Sequence, residues 1–454
     1  MSITEELAEF INNTKFADLP PQVVQNTKEC LLDIIGGALA GTKYPDVVGI
    51  TQEIKKYDSQ TDCTVWGTKH RLSLLGATLI NGTMSHATEM DDVHKIAKTH
   101  AGAVLIPAAI SLGETLKSSG KDVIRAVALG YEVSLRIGMG IGATSHRLKG
   151  WHATGTCGIF GAAVAAAVLL GLDKAKLVSA MGLAGTQASG LWAFTEDGAS
   201  CKKFHAGKAA HGGLLAAMLA AGGMTGPRCI LEASDGGLFP ASSDEYEYDL
   251  VTKDLGAVWE IMNVDRKPFA CCRSMHPSID AIMQLQREQG IKPEDIKEVT
   301  VETYEVAVKQ CGFTNRPQNV PEAQFCIPYG VAVVLYDKSA AREQFTAERI
   351  RDERVLELAE KVKVYSSPRF SDQYPKNWGC ELTIITQSGN KYQKHIVNAK
   401  GDHDNPLSFE DLVGKFKGAA STTIPLEKQE CMIKEIMQAE QSGDITSLTQ
   451  LLSL

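Results

Sequence analysis

The stretch from His86 to His100 packs three carboxylates (Glu89, Asp91, Asp92), three histidines (His86, His94, His100) and two lysines (Lys95, Lys98) into fifteen residues. Small apolar sequence flanks it on both sides, Leu74-Leu-Gly-Ala before and Ala103-Val-Leu-Ile-Pro after. Ionisable groups are costly to remove from water unless they pair or serve a site, so such a cluster between buried-looking segments marks a place for acid–base chemistry. The competing reading is a solvated loop between helices, with His86 satisfied inside a core.

Three further polar clusters open otherwise apolar segments. Lys149-Gly-Trp-His152-Ala-Thr leads into an Ala-rich stretch, and Ser200-Cys-Lys202-Lys-Phe-His205-Ala-Gly-Lys208 opens another. Arg266-Lys267-Pro-Phe-Ala-Cys-Cys272-Arg273-Ser-Met-His276 lies where the character of the chain changes. A helix start offers unpaired N–H groups and the positive end of the helix dipole, which suits a carboxylate. Several cations and imidazoles at such positions describe an anion pocket.

The elements that must hold these residues follow from periodicity. Through the first 230 residues, apolar positions such as Leu7, Phe10, Ile11 and Val23, Val24, Cys30, Leu31, Ile34 recur at three-to-four spacing, the period of helices. The Gly/Ala-rich runs from Gly158, Val178 and Gly212 predict closely packed central helices. Glycines 138, 140 and 142 follow a helical pattern rather than a strand, which argues against a dinucleotide-binding loop. After residue 265, Ile296-Lys-Glu-Val-Thr-Val alternates like a strand and a helix is expected from Pro328. Gly379–Thr386, the turn Gln387–Asn390 and Lys391–Val397 read as a hairpin. The expected fold is mainly α with an α+β part: a large all-helical domain (1–265), an inserted smaller α+β domain (266–400), and C-terminal helices (401–454) returning to the first, with Ser408 as a cap.

Composition narrows the function classes. A net charge of −8 and a pI near 5.8 argue against a nucleic-acid or anionic-membrane partner. The longest apolar run, Cys157 to Leu172, is shorter than the ~20 residues a membrane helix needs. Met1-Ser-Ile-Thr-Glu reads as a capped helix start rather than a secretory leader, with Ser2 and Glu5 spaced as a capping box. Eleven cysteines without CxxC pairs suit a reducing, cytoplasmic setting and give no zinc-ribbon spacing.

The ordered set of motifs resembles the MmgE/PrpD family of 2-methylcitrate dehydratases, cis-aconitate decarboxylases and iminodisuccinate epimerases. The matching residues are Met90-Asp-Asp-Val-His, Thr99-His-Ala-Gly-Ala-Val, Gly150-Trp-His-Ala-Thr, Lys202-Lys-Phe-His-Ala-Gly-Lys, Lys267-Pro-Phe-Ala-Cys-Cys-Arg-Ser-Met-His-Pro, Gln324-Phe-Cys-Ile-Pro-Tyr329 and Asp404-Asn-Pro-Leu-Ser. The resemblance implies a helical domain with an α+β lid, a homodimer, and catalysis on small di- or tricarboxylic acids with neither metal nor organic cofactor. It carries the decarboxylase's pocket onto Glu89, Val93, His100, His152, Lys202, Lys267, Cys272 and Tyr329. Five keep the pattern. Glu89 stands in place of Asp, Val93 in place of Thr and Cys272 in place of His, which ranks decarboxylation below the alternatives.

Dehydrating a hydroxy acid requires a base for a C–H proton, an acid for the departing hydroxyl and cations on the carboxylates. The expected catalytic set is His100, His152, Lys202, Tyr329 and Asp91, the last orienting a histidine. Glu89, Val93, Lys267, Cys272, Arg273 and His205 are the expected substrate-binding residues. A hydro-lyase of the 2-methylcitrate dehydratase kind is the leading expectation. Behind it stand epimerisation of a dicarboxylate, decarboxylation of cis-aconitate, and a carboxylate binder without turnover.

Overall fold

The structure, a computed structural model, describes residues 1–454. It divides into two compact units: Met1–Ala193 with Cys201–Val264 and Ser408–Leu454, and Asp265–Leu407 with Phe194–Ser200. The chain thus leaves the first unit near residue 265 and returns at Ser408. The short excursion Phe194–Ser200 joins the second unit because Phe194 packs edge-on against Phe325 at 6.5 Å and Gly198 lies against Asn319.

The first unit is helical. Its centre holds α1 (Leu74–His86), α2 (Gly102–Leu116), α3 (Gly120–Gly140), α4 (Gly158–Leu169) and α5 (Lys202–Ala221). Helix α4 is buried on every face from Gly158 to Ala167, so it has no solvent side to make polar. Small residues let its neighbours approach. A Cβ on Gly130 of α3 would stand 2.8 Å from the Gly161 carbonyl oxygen, and one on Gly82 of α1 would stand 2.9 Å from the Cα of Gly207 in α5. These crossings admit no side chain, and they draw α1, α3, α4 and α5 together around the site described below. Ser2 and Glu5 form the expected capping box on the N-terminal helix Ile3–Asn13, and Ser408 caps Phe409–Ala420. No helix is long and apolar enough to cross a membrane.

The second unit is α+β. Its sheet has the order β2-β1-β3-β4, from β1 (Ile296–Thr303), β2 (Val362–Ser366), β3 (Cys380–Thr386) and β4 (Lys391–Ile396). Strands β1 and β2 run parallel with Val299 opposite Val362. Strand β3 is antiparallel to both β1 and β4, with Val301 opposite Leu382 and Ile384 opposite Tyr392. Strand β3 alternates buried and half-buried along its length, so one face is covered, and helix His276–Gln289 packs there. The helix expected from Pro328 is Ile327–Asp337, with Pro328 in its first turn where a missing N–H costs nothing.

Candidate active site

In the first unit, α1 ends on His86 and α2 begins at Gly102, and the link between them carries the ionisable cluster. Its backbone takes left-handed conformations at Glu89 (φ 55°) and Lys98 (φ 51°), which cost a residue with a Cβ about 1–2 kcal/mol each. Asp92 anchors the link. It accepts hydrogen bonds from the Tyr131 hydroxyl and from Gly102 N–H at 3.2 Å, and burial pushes its carboxyl up to about 7. Gly102 must be glycine, because a Cβ there would meet the Tyr131 oxygen at 2.3 Å. From the other side, the Lys415 ammonium holds the Met90 carbonyl at 2.6 Å and pairs with Asp33.

Asp91 is fully buried and serves two imidazoles. Its Oδ2 lies 2.6 Å from His86 Nδ1 and 3.2 Å from His100 Nδ1. His100 Nδ1 also lies 2.6 Å from the carbonyl oxygen of Asp92. A carbonyl only accepts, so His100 carries its proton on Nδ1 and turns Nε2 outward. The His100 side chain is the more exposed of the two, at 12% against 0% for Asp91.

His152 is held by its own backbone N–H donating to Gly190 O at 3.0 Å, just before the short turn Ala153–Thr156. The first turn of α5 brings up Lys202 and His205. His152 Nδ1 and His205 Nδ1 are 3.1 Å apart, so one donates and the other accepts, which two neutral rings satisfy. Burial drives His152 well below the usual imidazole range, helped by the positive charge of Lys202 and by the neighbouring histidines. Burial also lowers His205 to about 4. The Trp192 ring meets His152 edge-on at 5.1 Å and is braced by the Arg147 guanidinium 4.0 Å above it. The buried Lys202 ammonium pairs with the buried Glu89 carboxylate.

The structure therefore brings together seven residues of the first unit: His86, Glu89, Asp91, His100, His152, Lys202 and His205. Val93 is buried beside this group in sequence, while His94 turns to Glu260 at 3.2 Å. Four expected residues belong to the second unit. Lys267 is fully buried and Cys272 is half-buried, its backbone N–H donating to Gln324 O at 2.8 Å. Arg273 lies between Asp265 (3.2 Å) and Asp402 (3.4 Å), and His403 Nδ1 stands 3.0 Å from Asp265. Tyr329 donates its hydroxyl proton to the Gln344 carbonyl at 2.5 Å, and burial holds its phenol well above the ordinary range.

Two triads have ligand-type atoms within 4.8 Å of one another: His86, Asp91 and His100, and Asp265, Asp402 and His403. In the first, the imidazole nitrogens are turned to the carboxylate at hydrogen-bond distance. In the second, the Arg273 guanidinium occupies the place of a cation. The residues outside the expected site set are His86, which the ionisable cluster included with a core histidine as the competing reading, and Trp192. The signal for His86 was its membership of the ionisable cluster itself.

The chain matches the MmgE/PrpD N-terminal domain over residues 5–250 and the MmgE/PrpD C-terminal domain over 269–441. It is 29% identical to the cis-aconitate decarboxylase of Homo sapiens, over 99% of this chain and 94% of that protein. To the cis-aconitate decarboxylase of Aspergillus terreus (strain NIH 2624 / FGSC A1156) it is 28% identical over 99% and 96%. To the 2-methylcitrate dehydratase of Salmonella typhimurium it is 22% identical over 94% and 92%.

Proposed function

Because the chain belongs to the MmgE/PrpD family, we propose that it is a cofactor-free lyase of small di- or tricarboxylic acids, and specifically a hydro-lyase of the 2-methylcitrate dehydratase kind. The observation that carries this reading is a pair of imidazoles, His86 and His100, sharing the Asp91 carboxylate, with a second contacting pair, His152 and His205, and the Lys202 ammonium beside them.

His152 is neutral at neutral pH, so it can act as the base. With its Nδ1–H donating to His205, Nε2 takes the proton from the carbon next to a substrate carboxylate. Lys202 holds that carboxylate, exchanging part of its bond to Glu89, and stabilises the charge that develops on it. The C–O bond then breaks, the carbon–carbon double bond forms, and protonated His100 gives the Nε2 proton to the departing hydroxide, which leaves as water. Asp91, against His100 Nδ1, favours the imidazolium that this step needs. Burial strengthens each of these interactions.

A second reading is favoured by the full-length relatives at 28–29% identity, which are cis-aconitate decarboxylases. There the substrate loses CO2 and a protonated imidazole delivers a proton to the carbon left behind. The test is proton NMR of purified protein with hydroxy di- and tricarboxylates and with cis-aconitate. Vinylic signals growing from a hydroxy acid support dehydration, and CO2 loss from cis-aconitate supports the second reading. Solvent deuterium entering an acid without elimination points to epimerisation. No change in any acid removes the lyase proposal.

A further inference from the structure

His86 takes no part in the steps above, yet it stands at the centre of the cluster. It is 1% exposed, and its ring centroid lies 4.8 Å from that of His100 and 5.9 Å from that of His152, nearly parallel to the latter. His146 in the same unit shows what a purely structural histidine looks like. Both of its ring nitrogens are satisfied, Nδ1 by the Ser242 carbonyl at 3.1 Å and Nε2 by Thr156 Oγ1 at 2.8 Å. His86 differs. Its Nδ1 donates to Asp91, and its buried Nε2 has no hydrogen-bond partner in the chain. Buried polar atoms are satisfied in the great majority of cases, and a fold that leaves one unsatisfied inside an ionisable cluster calls for a reason beyond packing.

The reason lies on the other nitrogen. Asp91 Oδ2 lies 2.6 Å from His86 Nδ1 and 3.2 Å from His100 Nδ1, whose own shorter contact, at 2.6 Å, is to the Asp92 carbonyl. We propose that His86 is a positioning residue: its Nδ1–H fixes Asp91 and shares one oxygen with His100, so that the carboxylate orients His100 without taking its proton. If His86 were removed, Asp91 could turn wholly to His100 or away from it, and either motion would misplace the acid. His86 itself touches no substrate. The inference rests on the lyase reading only for its kinetic consequence; the arrangement of Asp91 and His100 can be read without turnover.

The experiment compares two polar substitutions of similar bulk. The side-chain amide of His86→Asn places an N–H where Nδ1 stands, whereas that of His86→Gln places it near Nε2. Thermal melts establish that both variants fold. With imidazole nitrogens labelled with 15N, the His100 resonances at neutral pH should match the wild type in His86→Asn and be displaced in His86→Gln. On the acid that the wild type turns over, His86→Asn should keep kcat within a few-fold. His86→Gln should lose on the order of 10²-fold, the scale of a misplaced catalytic group, with KM little changed. The proposal is overturned if the two variants behave alike, whether both match the wild type or both are equally impaired. If the wild type turns over no acid, the lyase reading fails, and the NMR comparison still decides the role of His86.

Discussion

Two buried ionic clusters, one in each unit, are built from nearly the same groups and end in different states. In the second unit, Asp265 and Asp402 face Arg273 and His403. The guanidinium is a permanent cation, so one of two buried carboxylate charges is always cancelled and His403 contacts both acids. In the first unit, Asp91 faces His86 and His100, with His152, His205, Lys202 and Glu89 nearby. Here imidazoles outnumber carboxylates, and burial holds His152 and His205 neutral. The lesson is that a carboxylate matched by arginine makes a staple, whereas a carboxylate shared among imidazoles leaves protons able to move near neutral pH.

The sharpest way to break this contrast is to remove the staple. Arg273→Leu removes the guanidinium from between two carboxylates buried in the second unit, and breaking a buried pair this way costs about 3–5 kcal/mol. Urea melts should show that loss; a variant as stable as the wild type would mean that the cluster is not what holds Asp265 and Asp402. The opposite signature is expected in the first unit. Lys202→Ala should lower kcat/KM by ~10²-fold or more while the fold survives, as circular dichroism would show.

A smaller effect sharpens the account of His152. Its imidazole titrates well below 6.5 in the folded protein, so the neutral base persists as pH falls through 6.5 and is lost only at lower pH. The acid limb of kcat/KM for the free enzyme should therefore lie below pH 6.5. A limb at or above that value would contradict a buried neutral base. The smallest effects are expected where the clusters are not touched. His211→Ala, farther along α5, should leave turnover within a few-fold. Exhaustive chelation should leave activity unchanged, because the Nδ1 atoms of His86 and His100 beside Asp91 carry protons. Loss of activity restored by one added divalent ion would overturn that expectation.

Much of this was legible in the residues. The Gly/Ala runs announced tightly crossed helices, because only small side chains permit the approach seen between Gly82 and Gly207. The turn Gln387–Asn390 between alternating runs announced the hairpin of β3 and β4. His100, His152, Lys202, Asp91, Glu89 and His205 were singled out from local pattern and resemblance, and they do meet in one unit. What could not be read was how each donor is used. Tyr329 gives its proton to a carbonyl fifteen residues away, and Arg273 bonds to a carboxylate 129 residues away. Those partners depend on how the sheet and helices of the second unit close on each other. The place of His86 was likewise hidden, since an apolar flank suggests a core histidine and only the fold sets its ring against two others.

The most direct test of the central claim, that a neutral buried histidine moves the proton in an elimination, compares the wild type with His152→Ala. Both would be followed by proton NMR on the same hydroxy acid, in the presence of chelator, after melts confirm that both are folded. Vinylic product is expected from the wild type, and from the variant a rate lower by ~10²-fold or more. A variant as fast as the wild type would contradict that claim.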